Sequence, residues 1–118
     1  MKKNVIREKS YSFAVRIVNL TRYLKTKKVE SVLTNQILKS GTSIAANVEE
    51  AIASISRKKF SAKMSISFKE ARETRYWLKL LLETQTISVD EYNLLAEECN
   101  ELEKILFSIL KTTRMSNE

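Results

Sequence analysis

The chain has 118 residues, no proline, one glycine (Gly41), one cysteine and no histidine, and carries a formal charge of +7 at pH 7. Sheets need frequent turn residues, so this scarcity of glycine and proline excludes β-rich architectures and leaves an all-α chain, one domain large enough to bury a core unaided. Cys99 has no partner for an internal disulfide, no apolar run approaches a membrane span, and segment 1–10 is basic without the apolar stretch of a secretory signal, which fits a reducing cytoplasm.

Four segments carry helical periodicity. In residues 10–25, Phe13, Ile17, Leu20 and Leu24 recur at spacings of four, three and four. A cationic connection, residues 25–28, follows, its charge suited to a helix C-terminus. In residues 29–54 one face holds Leu33, Ile37, Ser40, Ile44, Val48 and Ala51. In residues 57–84, with Ser56 as N-cap, Phe60, Met64, Phe68, Ala71, Arg75, Leu78 and Leu82 share a side. The last segment, residues 89–112, opens on the capping box Ser88-Val89-Asp90-Glu91. Tyr92, Leu95, Cys99, Leu102, Leu106 and Ile109 then form a heptad seam, in which Cys99 reads as a buried small hydrophobe. Four segments with short connections predict an up-down-up-down antiparallel bundle. Val18, Ile66, Trp77, Leu80, Leu94, Ile105 and Phe107 fall off these seams and are either surface leakage or a second, self-associating face.

The chemistry is mostly excluded. Without histidine there is no Ser-His or Cys-His pair and no Glu-x-x-His ligand set of a di-iron bundle. One glycine cannot build a phosphate-cradling loop. Glu97, Glu98 and Glu101 lie off the Cys99 seam and read as a solvated face. We therefore expect no catalytic residues, no metal and no cofactor.

Charge is unevenly spread: +8 over residues 1–28, −2 over 29–56, +5 over 57–87 and −4 over 88–118. Attraction between alternating segments helps choose neighbours, and the remaining excess favours a polyanionic partner. The expected nucleic-acid contacts are Arg16, Arg22, Lys25, Lys27, Lys28, Arg57, Lys58, Lys59, Lys63 and Lys79, binding RNA or DNA backbone without reading bases. The rival reading is a structural adaptor that meets another protein through an apolar face.

The stretch Ser40-Gly41-Thr42-Ser43-Ile44-Ala45-Ala46-Asn47 is a poor helix on propensity alone. An antiparallel hairpin turning near Ser56 sets positions summing to about 113 opposite each other, so Ser43 faces Glu70, Ser40 faces Glu73, and Asn47 lies near Ile66 and Ser67. The expectation is a strip of small residues whose hydroxyls satisfy partly buried carboxylates, with a binding site as the alternative.

Ser40 to Ala51, followed by Phe60, Lys63 and Phe68-Lys69-Glu70-Ala71-Arg72-Glu73-Thr74-Arg75-Tyr76-Trp77-Leu78, resembles the bacterial "four helix bundle protein" family. That family includes proteins encoded in intervening sequences of the large-subunit ribosomal RNA gene and the accessory variability protein of diversity-generating retroelements. The likeness covers roughly residues 13–110. It implies an up-down-up-down bundle assembled into a homopentameric ring and, by analogy with the retroelement branch, a basic surface for nucleic acid beside a reverse transcriptase. Ala45 stands where many relatives carry glycine or proline, which bears on whether the second helix is kinked.

Overall fold

A computed structural model describes residues 4–117, with side chains as far as Thr113. It contains four helices: α1 (Val5–Thr26), α2 (Ser31–Ala53), α3 (Arg57–Glu83) and α4 (Val89–Asn117). Consecutive helices pack antiparallel, and α1 closes on α4 over a much shorter stretch than the other three neighbouring pairs share. The all-α bundle expected from composition is the fold observed.

Sequence chemistry explains most boundaries. The Asn4 side chain accepts the Arg7 N–H at 3.1 Å and starts α1 five residues earlier than periodicity alone placed it. Ile6 and Ser10 then extend the buried stripe of Phe13, Ile17, Leu20 and Leu24. Ser56 caps α3 by accepting the Lys59 N–H at 3.1 Å. The capping box of α4 is reciprocal: Ser88 Oγ accepts the Glu91 N–H (3.1 Å) and Glu91 Oε1 accepts the Ser88 N–H (3.2 Å). α4 then runs past residue 112, the expected end. α2 is one continuous helix through Ala45.

The chain ends α1 and α3 without glycine. Lys28 (φ 59°) and Gln85 (φ 60°) take the left-handed conformation after each helix. Val29 N–H then bonds the Leu24 carbonyl, and Thr86 N–H the Leu81 carbonyl, which closes a Schellman motif at each site. Val29 packs on the core and Ile87 is buried, so each reversal also seats an apolar side chain.

The core holds Phe13, Ile17, Leu24, Ile37, Ile44, Met64, Leu78, Leu102 and Leu106, all almost fully buried, with Cys99 among them. The α3 face differs from expectation. Its buried positions are Met64, Ser67, Ala71, Thr74, Leu78 and Leu81, whereas Phe60, Phe68 and Leu82 are half-buried and Arg75 is exposed. In α2, Thr34 rather than Leu33 points inward. The reason is shape. The small-residue strip of α2 brings α3 close, and small hydroxyl residues fit that approach better than Phe68 or Arg75 would. Of the off-seam apolar residues, Val18, Trp77, Leu80 and Ile105 are half-buried, while Ile66, Leu94 and Phe107 are exposed. The Phe107 ring leans on Phe68 at 6.2 Å. Among the described residues, no helix is long and apolar enough to cross a membrane.

Candidate nucleic-acid interface

The alternation of charge along the chain becomes ion pairing between neighbours. Arg7 meets Glu49 (2.6 Å), Lys9 meets Glu101 (2.8 Å), Arg16 meets Glu98 (3.0 Å), Lys63 meets Glu50 (3.4 Å) and Arg75 meets Glu103 (2.8 Å). Each pair joins a cation on α1 or α3 to a carboxylate on α2 or α4. Arg7–Glu49 and Lys9–Glu101 are exposed at both ends, and Arg16–Glu98 and Lys63–Glu50 each have one half-buried member, so each contributes little to stability and screens readily. Only Glu103 is buried; its two oxygens face the Arg75 guanidinium at 2.8 and 3.1 Å. Arg16 and Lys63, expected as nucleic-acid contacts, also take part in these ion pairs within the bundle.

The other expected contacts fall into two groups at opposite ends. Arg22, Lys25, Lys27 and Lys28 surround the α1–α2 turn, with Lys27 over the Tyr23 ring at 5.3 Å. Lys79, one turn before the end of α3, lies at the same end. Arg57, Lys58 and Lys59 occupy the first turn of α3 and are all exposed. The 23 residues of α2 separate the groups by about 34 Å. The fold also places Arg7, Lys9 and Lys111 at the α2–α3 end, the first two paired with Glu49 and Glu101. Reading α1 from residue 10 hid the first two; the signal that could have found them is Asn4 as an N-cap ahead of Ile6.

The Ser40–Asn47 motif turns out to be interhelical packing. A Cβ on Gly41 would lie 2.8 Å from two Ile17 carbons, so Gly41 faces α1, not the α3 carboxylates. Ser40 Oγ meets Thr74 Oγ1 at 3.0 Å rather than Glu73, and donates to the Ile37 carbonyl. Ser43 Oγ donates to the Lys39 carbonyl (2.6 Å), and Asn47 Nδ2 donates to the Ser43 carbonyl (2.8 Å). Ser67 Oγ crosses from α3 to the Ile44 carbonyl at 2.8 Å. The antiparallel register is close to the expected one, but these hydroxyls satisfy backbone and each other, not carboxylates. Glu70 and Glu73 are half-buried at the edge of this interface. Burial, then the Glu73 charge, holds the Glu70 carboxyl above its ordinary pKa. Trp77 is half-buried, edge-on to Tyr76 at 5.0 Å, with its enclosed Nε1 meeting no acceptor.

Several clefts open on the surface. One, of about 300 Å³, lies where α1 and α4 diverge, between Leu20 and Tyr23 on one side and Leu94 and Leu95 on the other. A second, of about 360 Å³, sits at the α2–α3 turn beneath Ile55. Among the described residues, no group of three acidic or thiol side chains is placed to hold a metal.

A family model described as "23S rRNA-intervening sequence protein" matches residues 2–108. A solved structure of a protein with unknown function from the S23 ribosomal protein family of Bacteroides thetaiotaomicron is 46% identical. It superposes with a TM-score of 0.88 over 90% of this chain and 98% of that one. No curated protein matches.

Proposed function

This chain belongs to the 23S rRNA-intervening sequence protein family, and from that premise we propose that it is a non-catalytic homo-oligomer that binds RNA or DNA backbone in a sequence-tolerant way. The observation that carries the reading is the charge left over after neighbouring helices have paired. Around the α2–α3 turn Arg7, Lys9 and Lys63 are matched by Glu49, Glu101 and Glu50, which leaves Lys58, Lys59 and Lys111 against Glu8, with Arg57 beside them. Lys58 and Lys59 project from an exposed helix start, free to follow a phosphate chain. The α1–α2 turn offers a second cationic group at the far end. Repetition of these patches around an oligomer multiplies the positive potential and favours a long polyanion over a small anion. From the family resemblance we expect that oligomer to be a pentamer, and sedimentation of the 13.6 kDa chain at micromolar concentration tests it.

The test of binding is a salt titration with duplex RNA and DNA. Log affinity should fall linearly with log salt, by roughly 0.9 per duplex phosphate neutralised. Replacing Arg57, Lys58 and Lys59 together by alanine should lower that slope by about 2–3 and leave the circular dichroism unchanged. Absence of binding at low salt, or a flat salt response, would sink the proposal and bring forward an adaptor that docks a protein on the open α1–α4 side.

A further inference from the structure

The α2–α3 turn holds an isoleucine where burial would not put one. Ile55 is 95% exposed, the most exposed large apolar side chain among the described residues. The turn that presents it is held on both sides. Ser54 Oγ donates to the Ala51 carbonyl at 2.6 Å, and Ser56 Oγ accepts the Lys59 N–H at 3.1 Å. Both serines are extended, with ψ near 148° and 149°. Ile55 is therefore presented outward by a preformed reversal, so little ordering is lost when something covers it. Immediately after it come Arg57, Lys58 and Lys59.

Next to Ile55 the surface is concave. The cleft of about 360 Å³ is lined by Ile55, Phe60, Ser54, Ser56, Arg57 and Thr112. Beside the Arg57 side chain its walls offer two kinds of surface: apolar at Ile55 and Phe60, hydroxyl-bearing at the serines and Thr112. A nucleobase has the same two kinds of surface, apolar faces and a hydrogen-bonding edge. The volume lies at the lower end of the range for small-molecule sites, about 300–1,000 Å³. In a duplex those faces are already stacked and cannot reach the cleft. In a single strand or loop they are free to do so, and apolar side chains are used elsewhere against unstacked base steps.

We infer that this turn receives an unpaired nucleotide, its base in the cleft against Ile55 and Phe60 and its flanking phosphates on Lys58 and Lys59. This inference rests on the backbone-binding reading above and makes it specific: the preferred polyanion is single-stranded or looped. Charge supplies the general affinity at this end, and Ile55 discriminates unpaired from paired strands.

The experiment is fluorescence anisotropy at matched salt with a short single-stranded RNA and the blunt duplex of the same sequence. Wild type, Ile55→Ser and the double variant Lys58→Ala, Lys59→Ala are compared. Ile55 touches solvent almost entirely, so the serine variant should fold as the wild type does. Wild type should bind the single strand about five-fold or more tighter than the duplex, the order expected when one base gains a stacking contact. Ile55→Ser should remove that preference while leaving duplex affinity and salt slope unchanged; the lysine variant should weaken both probes and flatten both slopes. Equal wild-type affinity for the two probes, or an Ile55→Ser protein that keeps the preference, would overturn the inference and leave backbone binding intact. No binding to either probe at low salt would overturn both. An Ile55→Ser effect seen on anionic vesicles alone would overturn the inference in favour of a membrane surface.

Discussion

Gly41→Ala sets two effects of opposite sign against each other, and the structure decides between them. Alanine is the better helix former, so inside α2 the substitution should stabilise by about 1 kcal/mol. The added methyl, however, would lie 2.8 Å from Ile17 Cγ1 and Cγ2 and 3.1 Å from Ile17 Cβ. Those atoms are the root of a fully buried, β-branched side chain, not the tip of a flexible one. They cannot swing away, so α1 and α2 must separate. Overpacking of this kind costs about 1–3 kcal/mol, and contact with three atoms at once points to the upper part of that range. The net expectation is a loss of about 1–2 kcal/mol, or about 4–8 °C in the melting temperature of a domain this size. Thermal melts followed by circular dichroism, with urea midpoints as a second measure, read this directly. In an Ile17→Ala background the same substitution should be neutral or stabilising, since the two Cγ atoms at 2.8 Å are gone and only the Cβ contact at 3.1 Å remains. A Gly41→Ala protein that melts at or above the wild type would refute the close-approach argument.

Two further expectations follow from other parts of the fold. Gln85 sits at φ 60° with no glycine to relieve it, so Gln85→Gly should stabilise by up to about 1 kcal/mol; an unchanged or lower urea midpoint would contradict that. Burial, then the Glu103 charge, pushes the Cys99 thiol up from 9.0 to about 12, and its Sγ donates to the Ala71 carbonyl at 3.1 Å. A raised folded pKa favours the neutral thiol, so the stabilisation it brings is full below about pH 9 and fades as pH rises towards 12. At pH 8 a thiol reagent should label Cys99 only as fast as the protein opens, and rapid labelling of the folded protein would show the site to be accessible.

Much of the candidate interface was legible along the chain. The cationic runs around residues 25–28 and 57–59 needed only counting, and short connections between four helical segments place the two turns at opposite ends. What could not be read was which cations the bundle itself uses. Arg16 and Lys63 look no different in sequence from Lys58 and Lys59, yet the first two meet Glu98 and Glu50 and the last two project from a helix start. Pairing depends on distances across helices, which no spacing within one helix encodes. The α2–α3 cleft was hidden for the same reason, since Thr112 joins Ile55 and Phe60 only through the docking of α4.

The sequence by itself determined the class, the number of helices and most of their ends. Absence of proline and near-absence of glycine left helices as the only regular structure. Caps such as Ser56 and the Ser88–Glu91 box act within one turn of chain, so they can be read where they stand. The α4 seam is also local, because one apolar stripe at heptad spacing leaves a single choice of inward face. Tertiary structure decided the rotation of α3. Phe60, Phe68, Arg75 and Leu82 formed the more apolar-looking stripe apart from Arg75, yet Ser67, Thr74 and Leu81 turn inward. Ser40 leaves α2 thin where α3 crosses it, and Gly41 does the same where α1 crosses. At such close approach, shape and the pairing of buried hydroxyls outweigh the area of one phenylalanine ring, and both belong to the pair of helices rather than to either sequence alone.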